Sequence, residues 1–246
     1  MAAIALITPT RNRGQMLLET YQSILNQSFP DWQWNIVVDG EDGLKDEIAA
    51  HLSQHQRVKV YFIPRVGMTK SVDFGVKISD SKWVGVVDDD DWLHLDCLRL
   101  SWEFVQENPC DLAYTKYYEV VGDRTFKGKR SFIDYCPDRL LLDFMTFHFR
   151  LINRKSLNAI GGINTDLVYA YDYDLCLRMS EVGKIGHVPE YLYYYRHHSD
   201  RISADRRLDQ IYYAGKVVQE ALKRRGLEKD FFLDVKVTTS LISKKH

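Results

Sequence analysis

The first 90 residues alternate short apolar runs with amphipathic stretches, and this alternation restricts the fold more than any other feature. Ala3–Ile7 reads as a buried strand and Thr8–Arg13 as the loop after it. Over Met16–Leu25, the residues Leu17, Leu18, Tyr21, Ile24 and Leu25 recur at helical spacing, which predicts an amphipathic helix. Trp34–Val38 reads as a second strand, ending at the turn Asp39-Gly40-Glu41-Asp42-Gly43. A polar helix through Leu52, the strand Val58–Ile63, a helix over Lys70–Ile78 and the strand Trp83–Val87 follow. Strands alternating with helices imply right-handed βαβ units and a parallel sheet. Such a sheet binds ligands beyond the carboxyl ends of its strands. Here those ends carry Thr8-Pro9-Thr10-Arg11, Asp39-Gly40 and Asp88-Asp89-Asp90-Asp91.

The second half has a different texture. Leu112–Val121 and Phe147–Ile152 read as strands separated by loop-rich sequence, and Lys155–Ile160 as a helix stopped by Gly161-Gly162. Tyr173–Val182 is helical up to Gly183, Tyr191–Tyr195 is an aromatic strand, and Asp205–Arg225 is a final amphipathic helix stopped at Gly226. Leu208, Ile211, Tyr212, Val218 and Leu222 form one stripe on that last helix, suited to packing on the main domain or on a second subunit. Its terminal Lys223-Arg224-Arg225 complements the helix dipole or touches an anionic membrane surface.

Composition removes several function classes. Lys+Arg number 33 against 34 Asp+Glu, a formal net charge of −1, whereas a generic nucleic-acid binder carries a basic excess. Cys97, Cys110, Cys136 and Cys176 stand far apart, so each reads as a small buried hydrophobe rather than part of a disulfide or zinc framework. The N-terminal apolar run is short and lacks a basic flank, and no run approaches the ~20 apolar residues needed to span a bilayer. A reduced, cytoplasmic protein is expected.

Four constellations carry chemistry. The acids 88–91 repel one another unless a cation or hydrogen-bond donors neutralise them. On an extended chain Asp88 and Asp90 share one side while Asp89 faces the other. Paired carboxylates at a strand end suit Mg²⁺ or Mn²⁺ with a substrate diphosphate; the competing reading is Asp91 capping a helix from Trp92. Asp39 either accepts hydrogen bonds from a nucleobase or ribose, or holds its own turn. Asp172 and Asp174 are first-turn caps, or one of them is a general base toward an acceptor hydroxyl. Arg196-His197-His198, with Ser199 and Ser203, can complete a metal site or hold a diphosphate. Neither GxGxxG nor GxxxxGK[ST] is present.

Taken in order, these segments resemble a family 2 glycosyltransferase of the GT-A fold. The resemblance is carried by Ile7-Thr8-Pro9-Thr10-Arg11-Asn12-Arg13, Ser23-Ile24-Leu25-Asn26-Gln27-Ser28-Phe29, Val37-Val38-Asp39-Gly40 and Val87-Asp88-Asp89-Asp90-Asp91. It continues through Gly161-Gly162-Ile163, Asp172-Tyr173-Asp174-Leu175-Cys176-Leu177-Arg178 and Tyr195-Arg196-His197-His198. It implies an α/β fold with a mostly parallel, Rossmann-like sheet flanked by helices, a mixed acceptor-side region and a C-terminal helix. The expected division is a catalytic domain over 1–203, with a nucleotide-sugar half over 1–92 and an acceptor half over 93–203, then a helical extension over 204–246.

The resemblance further implies a nucleotide-sugar donor, UDP-linked by preference, a divalent metal (Mn²⁺ or Mg²⁺), and transfer with inversion to a glycan or lipid-linked acceptor. That chemistry belongs to surface-polysaccharide synthesis. Thr8, Pro9, Thr10 and Arg11 would surround the nucleotide, with Asp39 on the base and Asp88 and Asp89 on ribose and diphosphate. Asp90, Asp88 and His198 would hold the metal, and Asp172 would be the catalytic base. Tyr169, Tyr171 and Asp174 would meet the acceptor. Tyr171 replaces the family's usual Glu, and Asp73, an unexpected acid, should face elsewhere or alter donor choice. The other readings are a catalytically degenerate nucleotide-sugar or glycan-binding module and a sugar-1-phosphate nucleotidyltransferase, which would want a glycine-rich basic loop that residues 8–14 lack. Peripheral membrane contact and a homo-oligomer formed through the last helix complete the expectations.

Overall fold

The computed structural model describes residues 2–41, 43–198 and 206–236. The βαβ alternation is present: β1 (Ile4–Thr10), α1 (Gly14–Leu25), β2 (Trp32–Asp39), α2 (Asp46–Leu52), β3 (Val58–Ile63), α3 (Met68–Ile78) and β4 (Trp83–Val86). A two-residue strand β5 (Trp92–Leu93), α4 (Cys97–Glu107), β6 (Leu112–Val121) and β7 (Arg124–Lys127) follow. The chain continues with β8 (Arg150–Asn153), α5 (Arg154–Ala159), α6 (Tyr171–Val182), β9 (Ile185–His197) and α7 (Arg207–Arg224). The strands all lie in one mixed sheet of order β3-β2-β1-β4-β8-β6-β9-β5, with β7 paired to β6. The expected boundary at 203/204, like Ser199 and Ser203, falls outside the described residues, and the sheet runs unbroken across the expected division at 92/93.

Parallel pairing of β1 with β2 and β4 is possible because helices cover both faces, and β1 is buried along its whole length. Alternation then sorts side chains into two cores. Ile4 and Leu6 join Trp34 and the residues of α1 and α4 on one face; Ile7, Val84 and Val86 join α3, α6 and α7 on the other. Thr8 does not belong to a loop, as the sequence suggests, but to β1. Its Oγ1 donates to the Val87 carbonyl at 2.8 Å and accepts from Trp34 Nε1 at 2.9 Å, a polar staple inside the core.

The stop signals act as expected at Gly161, Gly162 and Gly226, all left-handed, while Gly183 is extended and leaves room for the Asp111 side chain. The C-terminal stripe is only half right. Val217, Val218, Ala221 and Leu222 pack inward near α6, whereas Leu208 and Tyr212 are 68% and 69% exposed. Arg224 is bound to Glu181, Arg225 to Ser180 Oγ and the Pro137 carbonyl, and Lys223 to Glu220 on its own helix, so all three terminal cations have partners within the chain. Cys97 and Cys176 are buried as expected, but Cys110 is only half-buried and Cys136 is exposed. Among the described residues, no helix is long and apolar enough to cross a membrane.

Helix α3 meets the sheet through Gly75, where an added Cβ would overlap the Ile7 Cγ2 methyl and lie 3.1 Å from Val37 Cγ2. Alanine is the better helix former by about 1 kcal/mol. Ile7 is β-branched and fully buried, however, so overpacking outweighs that gain. Gly75→Ala should therefore lower stability by about 1–3 kcal/mol in urea denaturation, and a neutral or stabilising result would contradict this packing.

Candidate active site

The carboxyl ends of β1, β2 and β4 open into a cleft of about 1240 Å³, closed on the other side by residues from β6, α6, β9 and the start of α7. The parallel register pairs Ile7 with Val86. Pro9, Thr10, Arg11, Asp39, Asp88, Asp89 and Asp90 line one part of the cleft, and Tyr169, Tyr171 and Asp172 another.

The acid loop is not extended. Residues 89 and 90 form a turn, so Asp89 and Asp90 both reach Arg13, whose Nη1 lies 3.0 Å and 2.7 Å from their carboxylates. Asp91 caps no helix, because β5 follows it and α4 begins only at Cys97. It is instead fully buried, accepting from Tyr193 Oη at 2.8 Å and from the Arg196 N–H at 2.7 Å. Helix α1 braces the loop from behind. Thr20 Oγ1 donates to the Asp91 carbonyl at 2.6 Å, the Leu93 N–H donates to Ser23 Oγ, and Gln27 bridges the His94 carbonyl and the Leu98 N–H. The Ser23–Phe29 segment thus serves as scaffold for the acids.

One oxygen each of Asp88, Asp90 and Asp91 lies within 4.8 Å of the others. Burial and the neighbouring carboxylates push Asp88 up to about 7 and Asp89 up to about 6, and drive Asp91 well above the usual carboxylate range. His198 Nε2 sits 2.9 Å from Asp90 Oδ2 and supports the cluster without lining the cleft. His148 Nε2 stands 3.5 Å from Asp88 Oδ2, and burial with the charges of Arg150 and Arg130 holds its pKa well below normal, keeping it neutral. Asp88, 28% exposed at the cleft wall, therefore has no ion-pair partner among the described residues other than this neutral imidazole, although the charge of Arg150 lowers its pKa in part. Clustered oxygen ligands with unrelieved negative charge fit a hard divalent cation.

Asp39 lines the cleft, and its carboxylate accepts from the Val66 N–H at 2.7 Å and the Gly67 N–H at 3.0 Å, pinning the start of α3. It therefore holds a distant loop rather than its own turn. Asp172 Oδ2 accepts from Arg150 at 3.1 Å and Oδ1 from the Tyr173 N–H at 3.0 Å. Each oxygen keeps a second lone pair. Burial is the largest influence on Arg150 and lowers its pKa, but Asp172 together with Cys176, Tyr171 and Asp88 outweighs it and the guanidinium stays charged. Tyr171, between Asp88 and Asp172 in the electrostatic sense, is held well above a normal phenol by burial and by both acids, so its hydroxyl remains a donor. Ala170, just before it, is left-handed at φ 59°, which turns the chain sharply into α6.

Two expectations need correction. Thr8 does not reach the cleft, being a core staple of β1. Asp174 does not face an acceptor: it is 2% exposed and paired with Arg178, which also donates to the carbonyls of Ile160 and Gly162. Asp174 thereby ties α6 to the end of α5. Asp73 does face elsewhere, onto Lys77 at 2.7 Å. Sequence reasoning missed His148, Arg150, Arg130 and Glu119. Arg150 had a usable signal, since a charged residue within an apolar strand must find a buried partner; the others had none.

The family model of glycosyl transferase family 2 matches residues 5–167. Chondroitin synthase of Escherichia coli is 26% identical over 230 residues, covering 92% of this chain and 33% of the relative. The chain spans a third or less of the first curated relatives it matches. S. aureus TarS, solved in complex with UDP-GlcNAc, superposes with TM-score 0.70 at 17% identity, covering 90% of this chain and 72% of that one. A mannosyltransferase from Pyrobaculum calidifontis, solved with GDP-Man and Mn²⁺, gives TM-score 0.65 at 14% identity, covering 90% and 64%.

The acid cluster sets a pH signature. The folded Asp88 pKa of about 7 exceeds its ordinary 3.8, so the folded state holds the proton more tightly. Its stabilising effect is complete below pH 3.8 and is lost as pH rises through about 7. His148 contributes the opposite slope, which a variant comparison cancels. With chelator present, stability relative to Asp88→Asn should fall from pH 4 to pH 7, and Mn²⁺ should restore it at pH 7 in the wild type only. A flat difference in urea denaturation would show that the carboxylates are not in conflict.

Proposed function

The chain belongs to glycosyl transferase family 2, and from that premise we propose that it moves a sugar from a nucleoside-diphosphate donor to a hydroxyl of a glycan or lipid-linked acceptor. The observation that carries this reading is the meeting of Asp39, the acids 88–90 and Asp172 on one cleft at the carboxyl ends of the parallel strands. A UDP-sugar is the favoured donor, supported by the TarS complex with UDP-GlcNAc and by an acid at position 39 that can accept from a nucleobase.

Asp88 and Asp90 would hold a divalent cation, Mn²⁺ or Mg²⁺, with His198 behind Asp90, and the cation supplies neutralisation of the charge left on the diphosphate. Arg11 adds positive charge to the cleft wall and forms no ion pair among the described residues. Pro9 and Thr10 would shape the nucleotide side. Asp172, oriented by Arg150, removes the acceptor proton as the hydroxyl oxygen attacks the anomeric carbon. A single displacement of this kind inverts the anomeric centre. Tyr171 would offer a hydroxyl donor to the acceptor where the family usually has a carboxylate, and Tyr169 lines the cleft beside it.

Asp172→Asn keeps the shape of the side chain and removes its basicity. Transfer should fall about 10²–10⁴-fold while donor binding is unchanged, and retained turnover would exclude Asp172 as the base. Calorimetric titration of UDP, GDP and dTDP, each with Mn²⁺ and with EDTA, tests the donor class. We expect metal-dependent binding of UDP above the others, abolished in Asp88→Ala/Asp90→Ala. If no nucleotide binds, the acid cluster is a structural element and the transferase reading fails.

A further inference from the structure

Resting on the transferase reading, we propose that the acceptor half of the cleft contains a subsite for an anionic group, a carboxylate or a phosphate, seated on Arg130. Most other charges near this part of the cleft already have partners: Arg150 is bound to Asp172 and Glu119 to His197. Arg130 differs. Its side chain lines the cleft, forms no ion pair among the described residues, and lies over the rings of Phe147 at 4.5 Å and Phe144 at 5.5 Å. A guanidinium stacked on aromatic rings is held in orientation while its N–H edge stays available, and that edge matches the paired oxygens of a carboxylate or phosphate.

The surrounding backbone fixes Arg130 in place. It sits in a single 3₁₀ turn, Lys129–Phe132, fastened to β6 from both sides. The Gly128 N–H donates to the Tyr117 carbonyl at 2.9 Å and the Tyr117 N–H donates to Ser131 Oγ at 3.1 Å. Gly128 also lies flat against the Tyr117 ring, where any Cβ would collide. The positive field of Arg130 is felt around it: it helps hold His148 neutral and opposes the burial that raises the Tyr117 and Tyr173 hydroxyls. Glu119, an acid lining the same side of the cleft, is held by His197 and by the Tyr117 hydroxyl. A neutral sugar would leave Arg130 without a counter-ion in a partly desolvated site, whereas a uronic acid or a phosphorylated sugar would supply one.

The test titrates p-nitrophenyl β-glucuronide, p-nitrophenyl β-glucoside 6-phosphate and neutral p-nitrophenyl β-glucoside into the full chain by saturation-transfer NMR, with and without UDP and Mn²⁺. At least one anionic probe should bind about tenfold or more tightly than the neutral glucoside, and which one does so separates carboxylate from phosphate. Arg130→Gln should erase the preference. Arg130→Lys, which keeps the charge but loses the fork and the ring stacking, should retain part of it and serves as the folded comparison if Gln destabilises the turn. UDP affinity, measured in the same samples, should be unchanged in both variants. Equal binding of the three probes, no binding of any, or a preference that survives in Arg130→Gln overturns the subsite. Loss of UDP binding by the wild type would instead overturn the transferase reading, because the probe comparison without nucleotide is judged separately.

Discussion

Four carboxylates on consecutive residues repel one another, and the chain contains them only by drawing donors and charges from distant segments. Arg13 arrives from the loop after β1, Tyr193 and the Arg196 N–H from β9, and His198 from just past its end. Helix α1 supplies Thr20 and Ser23, and the turn after it Gln27, to the backbone of the same segment. These contacts close the two halves of the chain around one point. Even so, Asp88 and Asp89 remain well above the ordinary carboxylate range. The scaffold holds the acids without fully neutralising them. An unneutralised cluster of this kind is suited to a cation and a diphosphate, not to the interior of a fold.

The rest of the cleft divides by charge. On the side formed by the ends of β1, β2 and β4 the acids dominate and Arg11 and Arg13 offset them. On the opposite side Arg150 is matched to Asp172 and Glu119 to His197, while Arg130, on its aromatic rings, has no ion-pair partner among the described residues. Polar groups that appear functional in isolation turn out to be structural where they are fully satisfied and sealed. Thr8 with Trp34 and Val87, and Asp174 with Arg178, are examples. Groups that keep a free lone pair or an unmatched charge at the cleft wall, such as Asp88, Asp172 and Arg130, are where chemistry can occur.

Much of the frame was legible in residue order. The periodicity of residues 4–87 fixed each strand and helix of the βαβ half to within a few positions, because the apolar period differs between helix and strand. The placement of Asp39 and Asp88–Asp90 at strand ends followed from that alone. What misled was local. An extended-chain reading of residues 88–91 put Asp88 and Asp90 on one side and Asp89 on the other; Asp88 and Asp90 do converge, but the turn at 89–90 brings Asp89 onto Arg13 beside Asp90. The stripe on α7 likewise counted Leu208 and Tyr212 as packed, because a helical period shows which residues share a face and not where along the helix its partner ends.

The sequence by itself determined the fold class, the edge of the sheet where a site could form and the acids able to form it, since these depend on period and residue type. Tertiary structure alone decided which of the matching residues reach the cleft. Asp172 and Asp174 are two residues apart on one helix, equally acidic and equally suited to cap it. Their side chains point roughly 200° apart around its axis, so one meets Arg150 at the cleft and the other Arg178 inside the fold. His148, Arg150 and Arg130 carry no motif at all. They come together only because β6, β8 and a 3₁₀ turn converge there, and convergence across the chain leaves no periodic trace in sequence.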